Sequence, residues 1–454
     1  LNQGTYAVEE AKKGTRKVKP FAPFTTSSLQ QDASIRLGFQ TRKTMQIAQE
    51  LYEGVNIKGV GARGLITYLR TDSVRVSGQA RAAALGYIEE KYGKQYQGGS
   101  TYTNKKKDIQ DAHEAIRPSD ISLEPAAVRD SLTADQYKLY DLIWRRFAAS
   151  QMAPAVYDTT SVGIRNGRYE FRASGSTMKF DGWRKVYSIS SQESEMKIPE
   201  LEAGQILEAD QVIKEKKFTQ PPPRYTEASL VKEMEESNIG RPSTYAAIIT
   251  TLTGRSYVKR EKKNLVPTKL GFDVNGLVSH YFKDIVDLKF TGRMEDELDD
   301  IELQKHPWKD TITRFYGGFR EELKVAEEEA ERIEQEVVLS DEVCELCGKP
   351  MAVKEGQYGK FLACTGYPEC KNTRPFQKGT GIPCPVCGKE ILERRGRKSG
   401  KIFYGCSGFP ECNVLYWDKP TGRMCPVCGS MIVKYKGKTA SYKCSNKECK
   451  YREK

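Results

Sequence analysis

The sequence predicts a multidomain α+β chain, with helical domains around an antiparallel β-rich segment and three small repeats at the end. Three observations carry this. The chain has 454 residues, too many for one ordinary domain. Its hydrophobic pattern changes from helical spacing to short alternating runs between residues 152 and 215. All twelve cysteines lie after residue 340, in three sets of four.

Apolar residues make up 38% and mean hydropathy is -0.62, so a soluble, polar chain that still builds cores is expected. No apolar run approaches membrane-spanning length, and the N-terminus carries no signal-peptide pattern. The first residue is Leu, so a processed or excised chain is expected. Net charge is +13 with a pI near 9.0, which favours a polyanionic partner. Residues 341–454 hold 22 Lys and Arg against 11 Asp and Glu, which is +11 of that +13. Three four-thiolate metal sites, each formally -2, would reduce the tail to about +5.

The run Phe24 to Gln31 reads as a helix start, with Ser28 and Gln31 as a capping box, Leu29, Ala33 and Leu37 on one face, and Gly38 as terminator. A second helix, Thr41 to Tyr52, carries Thr44, Ile47, Ala48 and Leu51 on one side and stops at Gly54. A glycine-rich loop then delivers Gly64-Leu-Ile-Thr67-Tyr68-Leu-Arg70-Thr71-Asp72-Ser73. Leu65 to Thr71 is β-branched and aromatic, which predicts a short strand with Tyr68 and Arg70 on one face. A phenol beside a guanidinium suits attack on a phosphodiester, because the cation holds the phosphate and stabilises charge on its oxygens. Taken alone, the pair reads as an ordinary half-buried strand tyrosine and its neighbour, since a Tyr and an Arg two apart occur by chance in many strands.

Ser77 to Tyr92 is helical in pattern, and Gly98 to Lys107 is a basic loop. Asp111-Ala-His113-Glu114-Ala-Ile-Arg117-Pro118 places one of only three histidines among charges, or at a helix end closed by proline. Thr133 to Ser150 is a strong amphipathic helix with Tyr137, Tyr140, Leu142, Trp144 and Phe147 as core residues. From Met152 to Glu215 the runs are strands of one antiparallel sheet, and Pro221-Pro-Pro223 marks a boundary.

Two helices follow, one from Thr226 with Leu230, Val231 and Met234 inward, and one beginning at Pro242-Ser243-Thr244 with Tyr245, Ile248, Ile249 and Leu252. The turn Gly240-Arg241-Pro242-Ser243-Thr244 combines helix-terminal N–H groups, two hydroxyls and an Arg, the ingredients of a phosphate site; a capped turn without ligand fits as well. Met294 to Glu302 is dense in carboxylates and reads as the solvated side of a helix rather than a metal site, and Glu321 to Val338 reads as a charged spacer helix.

In the tail, Cys344, Cys347, Cys364 and Cys370 form the first set; Cys384, Cys387, Cys406 and Cys412 the second; and Cys425, Cys428, Cys444 and Cys449 the third. Paired knuckles at this spacing offer four thiolates to a tetrahedral ion, which predicts up to three Zn2+ in zinc ribbons. Disulfides in a secreted protein are the alternative. The near-repeat of Cys364-Thr-Gly-Tyr-Pro-Glu-Cys370 as Cys406-Ser-Gly-Phe-Pro-Glu-Cys412 reinforces the reading, while the third set is one residue shorter in its second knuckle. Phe361, Phe403, Tyr404 and Tyr442 sit among lysines and suit either base stacking or covering a tiny core.

Phe24-Thr-Thr-Ser-Ser-Leu-Gln-Gln, Thr67-Tyr68-Leu-Arg70-Thr-Asp-Ser, His113-Glu-Ala-Ile-Arg-Pro, Ile239-Gly-Arg-Pro-Ser-Thr-Tyr-Ala, Arg255-Ser-Tyr-Val and the tetracysteine tail, in this order, resemble the bacterial type IA DNA topoisomerase I family over essentially the whole chain. The resemblance implies a helical catalytic-tyrosine domain (25–151), a β-rich arch (1–24 and 152–223), a helical single-strand-binding domain (224–338) and zinc ribbons at 339–380, 381–422 and 423–454. It implies Tyr68 as nucleophile forming a 5′-phosphotyrosine, Arg70 on the scissile phosphate, and His113 in the surrounding hydrogen-bond network. Arg241, Ser243, Thr244 and Ser256 become contacts to single-stranded or underwound DNA; Ser256 is often Gly in the family.

The resemblance further implies a cytoplasmic, nucleoid-associated monomer that relaxes negatively supercoiled DNA without ATP, with RNA polymerase as a candidate partner of the tail. Family members begin with a TOPRIM domain that binds Mg2+, and no such segment is visible in the sequence. The Mg2+ ligands are therefore expected outside this chain, which alone is expected not to relax supercoils. A non-catalytic zinc-ribbon module for single-stranded DNA is the rival reading; changing Tyr68 to Phe separates the two.

Overall fold

The computed structural model describes residues 4–59, 61–103, 113–188, 197–330, 338–356, 359–376, 378–395, 402–434 and 441–453. The chain divides into two units, Leu1–Glu331 and Arg332–Lys454.

In the first unit the elements run β1 (Tyr6–Val18), α1 (Thr26–Asp32), α2 (Thr41–Glu53), β2 (Val55–Ile57), β3 (Gly61–Arg63), α3 (Gly78–Tyr92), α4 (Pro125–Val128), α5 (Ala134–Ser150), β4 (Ala155–Asn166), β5 (Tyr169–Phe180) and β6 (Ile206–Leu207). The helical remainder is α6 (Glu227–Glu236), α7 (Tyr245–Gly254), the hairpin β7 (Val258–Glu261) and β8 (Asn264–Pro267), α8 (Lys269–Tyr281), α9 (Lys283–Val286), α10 (Leu288–Glu302) and α11 (Trp308–Glu329).

The core lies among α1, α2, α3 and α5, where Phe24, Leu29, Leu51, Leu65, Leu69, Ile88, Ile116, Leu139, Ile143 and Phe147 are all buried. Each such side chain contributes about 1.5–3 kcal/mol on leaving water. Tyr140, Leu142, Trp144 and Phe147 of the amphipathic helix point inward as expected, while Tyr137 is only half-buried at its first turn. Thr133 and Gln136 form a capping box there.

Outside this core stands one antiparallel sheet in the order β5-β4-β1-β6. The long β1–β4 ladder runs from Ala7 opposite Arg165 to Val18 opposite Ala155. Most of its side chains meet solvent, so its attachment matters: fully buried Trp183 donates from Nε1 to the Val18 carbonyl at 2.9 Å and packs edge-on against Phe21.

Several expectations need correction. The cap of α1 is Thr25, paired with Ser28, three residues before the Ser28–Gln31 box read from the sequence. The helix then widens into a π turn, Ala33–Leu37, before Gly38 ends it at φ 67°. The tyrosine stretch is no strand: only Ile66 forms an isolated bridge, to Pro118. Buried Leu65, Ile66 and Leu69 follow no two-residue alternation, so a shared face for Tyr68 and Arg70 does not follow. The charged helix spans Trp308–Glu329, not 321–338; residues 331–337 lie outside the described residues, and Val338 opens a strand.

The second unit is three four-stranded antiparallel sheets of one design. They comprise β9 (Val338–Val343), β10 (Pro350–Gly356), β11 (Gly359–Cys364) and β12 (Thr373–Pro375); β13 (Lys378–Pro383), β14 (Glu390–Arg395), β15 (Ile402–Cys406) and β16 (Leu415–Tyr416); and β17 (Lys419–Met424), β18 (Met431–Lys434), β19 (Tyr442–Cys444) and β20 (Arg452–Glu453). Their cores are minute: among the described residues of the first, Met351, Leu362 and two cysteines form the buried cluster. Among the described residues no helix is long and apolar enough to cross a membrane.

Candidate active site and zinc ribbons

The tyrosine loop is held by hydroxyls and by the segment 113–119. Thr67 donates its N–H to the Arg117 carbonyl at 3.0 Å and its Oγ1 to the Ala115 carbonyl at 2.7 Å, and accepts from the Arg117 N–H at 3.0 Å. Ser119 returns an N–H to the Leu65 carbonyl at 2.9 Å. Upstream, Gly64 lies against the end of α2, where a Cβ would come within 2.6 Å of the Tyr52 carbonyl oxygen. No side chain fits at that position.

These contacts bring Tyr68 and His113 together. The half-buried Tyr68 ring lies 4.7 Å from the His113 ring at 34°, and 5.6 Å from Tyr52 at 70°. The next residue, Glu114, accepts from Arg117 Nε at 2.7 Å. Burial works against that carboxylate, but hydrogen bonds from Arg117 and Ser77 outweigh it and hold Glu114 below the usual carboxylate range. Helix α5 braces the following residues, with Trp144 Nε1 on the Ile121 carbonyl at 3.0 Å and Tyr140 Oη on the Leu123 carbonyl at 2.7 Å. Arg70 is exposed, with no hydrogen bond or ion pair among the described residues. Asp111 lies outside the described residues.

The other predicted contacts sit on the helical region. Gly240 has φ 76°, and a Cβ there would meet Thr244 Oγ1 at 2.8 Å. Arg241 donates its N–H to that hydroxyl at 2.8 Å. Its guanidinium is already engaged, by Asp299 at 2.8 Å and Glu295 at 3.7 Å on α10. The acidic side of α10 thus serves an arginine. Ser243 is exposed, and Ser256, also exposed, is left-handed at φ 58°, the conformation that favours glycine.

Each cysteine set closes into one cluster whose four Sγ atoms lie within 4.8 Å of one another. Two Sγ pairs stand 3.2 and 3.6 Å apart in the first, 3.2 and 3.6 Å in the second, and 3.4 and 3.8 Å in the third. A tetrahedral Zn2+ with bonds of about 2.3 Å sets its sulfurs about 3.8 Å apart, so the donor sets fit zinc. Asn372 Nδ2 points at Cys344 Sγ from 3.3 Å and lowers that thiol to about 6. Hydrogen bonds from Ser430 bring Cys428 to about 6, and the Lys389 N–H brings Cys387 to about 7. Burial and hydrogen bonds to neighbouring cysteines push Cys364, Cys406 and Cys444 the other way, up to about 12, so thiolate character is shared unevenly within each cluster, and a metal requires the thiolate form of all four. Of the aromatics singled out, Tyr404 is buried and Phe361, Phe403 and Tyr442 are half-covered; among the described residues the open rings of the ribbons are Tyr367, Phe409 and Trp417.

One chain thus carries a tyrosine braced in a hydroxyl-rich loop and three tetracysteine ribbons, and the comparisons give the class, that of proteins acting on DNA. Residues 1–313 match the family model described as DNA topoisomerase, and residues 341–379 and 381–421 match the one described as topoisomerase DNA binding C4 zinc finger. Full-length topoisomerase I from Thermotoga maritima is similar at 38% identity and TM-score 0.62, over 88% of this chain. The chain spans 62% of that protein's length. It belongs to the bacterial type IA DNA topoisomerase family.

Sequence reasoning missed Thr26, Tyr52 and Asn372 as supports of these sites. Thr26 was visible inside the Phe24–Gln31 motif, but nothing local tells which carbonyl a hydroxyl meets.

Proposed function

We propose that Tyr68 cleaves one DNA strand by transesterification. Its Oη bonds to phosphorus, the P–O3′ bond breaks, the phenolic proton is lost, and the leaving O3′ gains a proton to become a 3′-hydroxyl. Reversal by that hydroxyl reseals the strand, and because the phosphodiester energy stays in the phosphotyrosine, no ATP is consumed. Arg70 holds the phosphate and stabilises its charge in the transition state. His113, against the Tyr68 ring, orients it. The observation that carries this reading is the Tyr68–His113 contact at 4.7 Å with exposed Arg70 two residues on.

Arg241, Ser243, Thr244 and Ser256 grip single-stranded or underwound DNA, with Arg241 exchanging Asp299 for a phosphate. The three ribbons add grips, each around one Zn2+. Mg2+ serves the complete enzyme by offsetting charge at the scissile phosphate. The protein acts as a cytoplasmic monomer, and RNA polymerase is proposed as a tail partner on the family resemblance alone.

The test is trapping a covalent adduct on a labelled single-stranded oligonucleotide with denaturant, in Mg2+. Tyr68→Phe should abolish the adduct and leave binding intact. An adduct that survives the substitution overturns the assignment of the nucleophile.

A further inference from the structure

The motif Phe24-Thr-Thr-Ser-Ser-Leu-Gln-Gln has so far no role in the chemistry, yet its third residue reaches the tyrosine loop. Thr26 is the first residue of α1 and is fully buried. Its Oγ1 donates to the Leu69 carbonyl at 2.7 Å and accepts from the Thr71 N–H at 2.9 Å. Its own N–H donates to the Thr71 carbonyl at 2.8 Å. The Leu69 carbonyl belongs to the peptide before Arg70, and the Thr71 N–H to the peptide after it. One hydroxyl therefore grips both peptide groups that flank Arg70.

The grip has a fixed base. Thr25 caps α1 through a reciprocal box with Ser28, which sets the direction of the first turn. Ser27 Oγ donates to Glu235 on α6 at 2.5 Å, fastening the same turn to the helix before the Gly240–Thr244 turn. Arg70, by contrast, is exposed with no partner of its own among the described residues. The aim of its long side chain is thus set at the backbone.

We propose that Thr26 is a positioning residue for Arg70: its hydroxyl fixes the backbone from which the guanidinium meets the scissile phosphate. This rests on the phosphate role of Arg70 proposed above. Only a donor and acceptor on one short side chain can hold a carbonyl and an N–H at once. Serine preserves the grip and valine, of the same shape, removes it.

A double-mutant cycle on the full chain tests this, reading affinity for a single-stranded oligonucleotide and its salt dependence. Arg70→Ala should weaken binding and lower the salt slope by about 0.7, as one lost phosphate contact does. Thr26→Val should weaken it about three- to tenfold, the worth of a misplaced hydrogen-bonded contact. In the Arg70→Ala background Thr26→Val should add nothing, and Thr26→Ser should bind as wild type. Amide exchange at Thr71 should accelerate in Thr26→Val and not in Thr26→Ser.

An additive effect in the double variant, or a Thr26→Ser as weak as Thr26→Val, overturns the positioning role while leaving Arg70 on the phosphate. Arg70→Ala binding like wild type overturns the phosphate role itself, and the positioning role with it. If Thr26→Val does not fold, Thr26→Ala takes its place in the cycle, with the same outcomes deciding.

Discussion

Glu227 is the most consequential buried carboxylate of the first unit. Helix α2 has no side-chain cap of its own, because Gln40 at its N-cap makes no capping hydrogen bond. Glu227, at the start of α6, supplies it: Oε2 accepts from the Thr41 N–H at 2.8 Å and the Thr41 hydroxyl at 2.9 Å. Its Oε1 accepts from Arg260 Nε at 2.7 Å, and the Glu227 side chain is only 7% exposed. Glu227→Ala removes a cap, about 1 kcal/mol, and charge-assisted bonds of about 1–3 kcal/mol, partly offset as Arg260 rehydrates. With that offset taken as about 1 kcal/mol, the net is about 1–3 kcal/mol, or roughly 5- to 150-fold faster opening of the first turn of α2. Amide exchange at Thr41 reads this directly. Glu227→Gln, which keeps an acceptor, should fall between. Unchanged exchange at Thr41 in Glu227→Ala refutes the borrowed cap, and so does an equal rise at Gln136 in α5, which is capped by its own Thr133.

Three further outcomes are expected. Native mass spectrometry should count three Zn2+ and lose one in Cys444→Ala; chelation should melt the ribbons and leave the transition of the first unit in place. Because Glu114 titrates below its unfolded value, its stabilising pair with Arg117 is fully present above about pH 4.3 and fails as pH falls through the lower folded value. Exchange protection at Thr67, corrected for intrinsic rate, should therefore hold from pH 8 to 5 and fall only once the pH drops below the ordinary carboxylate range. Ser256→Gly should raise stability by about 0.5–1 kcal/mol in denaturant titration, since glycine occupies the left-handed region without the Cβ clash that serine bears at φ 58°.

The sequence was most legible where one local rule decides the outcome. Thr44, Ile47, Ala48 and Leu51 are buried on α2 at their predicted helical spacing, and each tetracysteine cluster closes as its knuckles require. It was least legible where partners are remote. Leu65 to Thr71 has the composition of a strand, but its backbone groups pair with Thr26 and Arg117 rather than a neighbouring ladder. The phosphate-site reading of Gly240–Thr244 could not foresee Asp299, which lies 58 residues downstream of Arg241. Arg241 and Asp299 meet only because α10 packs beside the end of α6, where Asn238 also bonds Asp296.

The density of hydroxyls around Tyr68 follows from the same fact. A strand satisfies its N–H and C=O groups with its neighbours, whereas a buried irregular loop leaves them unpaired unless side chains reach them. Short hydroxyls donate and accept within one or two bonds of the backbone, so they fit where amides and carboxylates do not. Thr26 serves residues 69 and 71, Thr67 serves 115 and 117, Thr71 accepts from Ser73, and Ser73 accepts from Arg75. Replacing Thr26 by an apolar isostere leaves buried backbone groups unpaired, a loss of about 1–3 kcal/mol, and the loss is smaller at Thr67 and Ser73, whose backbone partners are only partly buried. Irregular backbone lets the chain present Tyr68 and Arg70 without the fixed alternation of a pleat, and the hydroxyls restore the rigidity that alternation would have given.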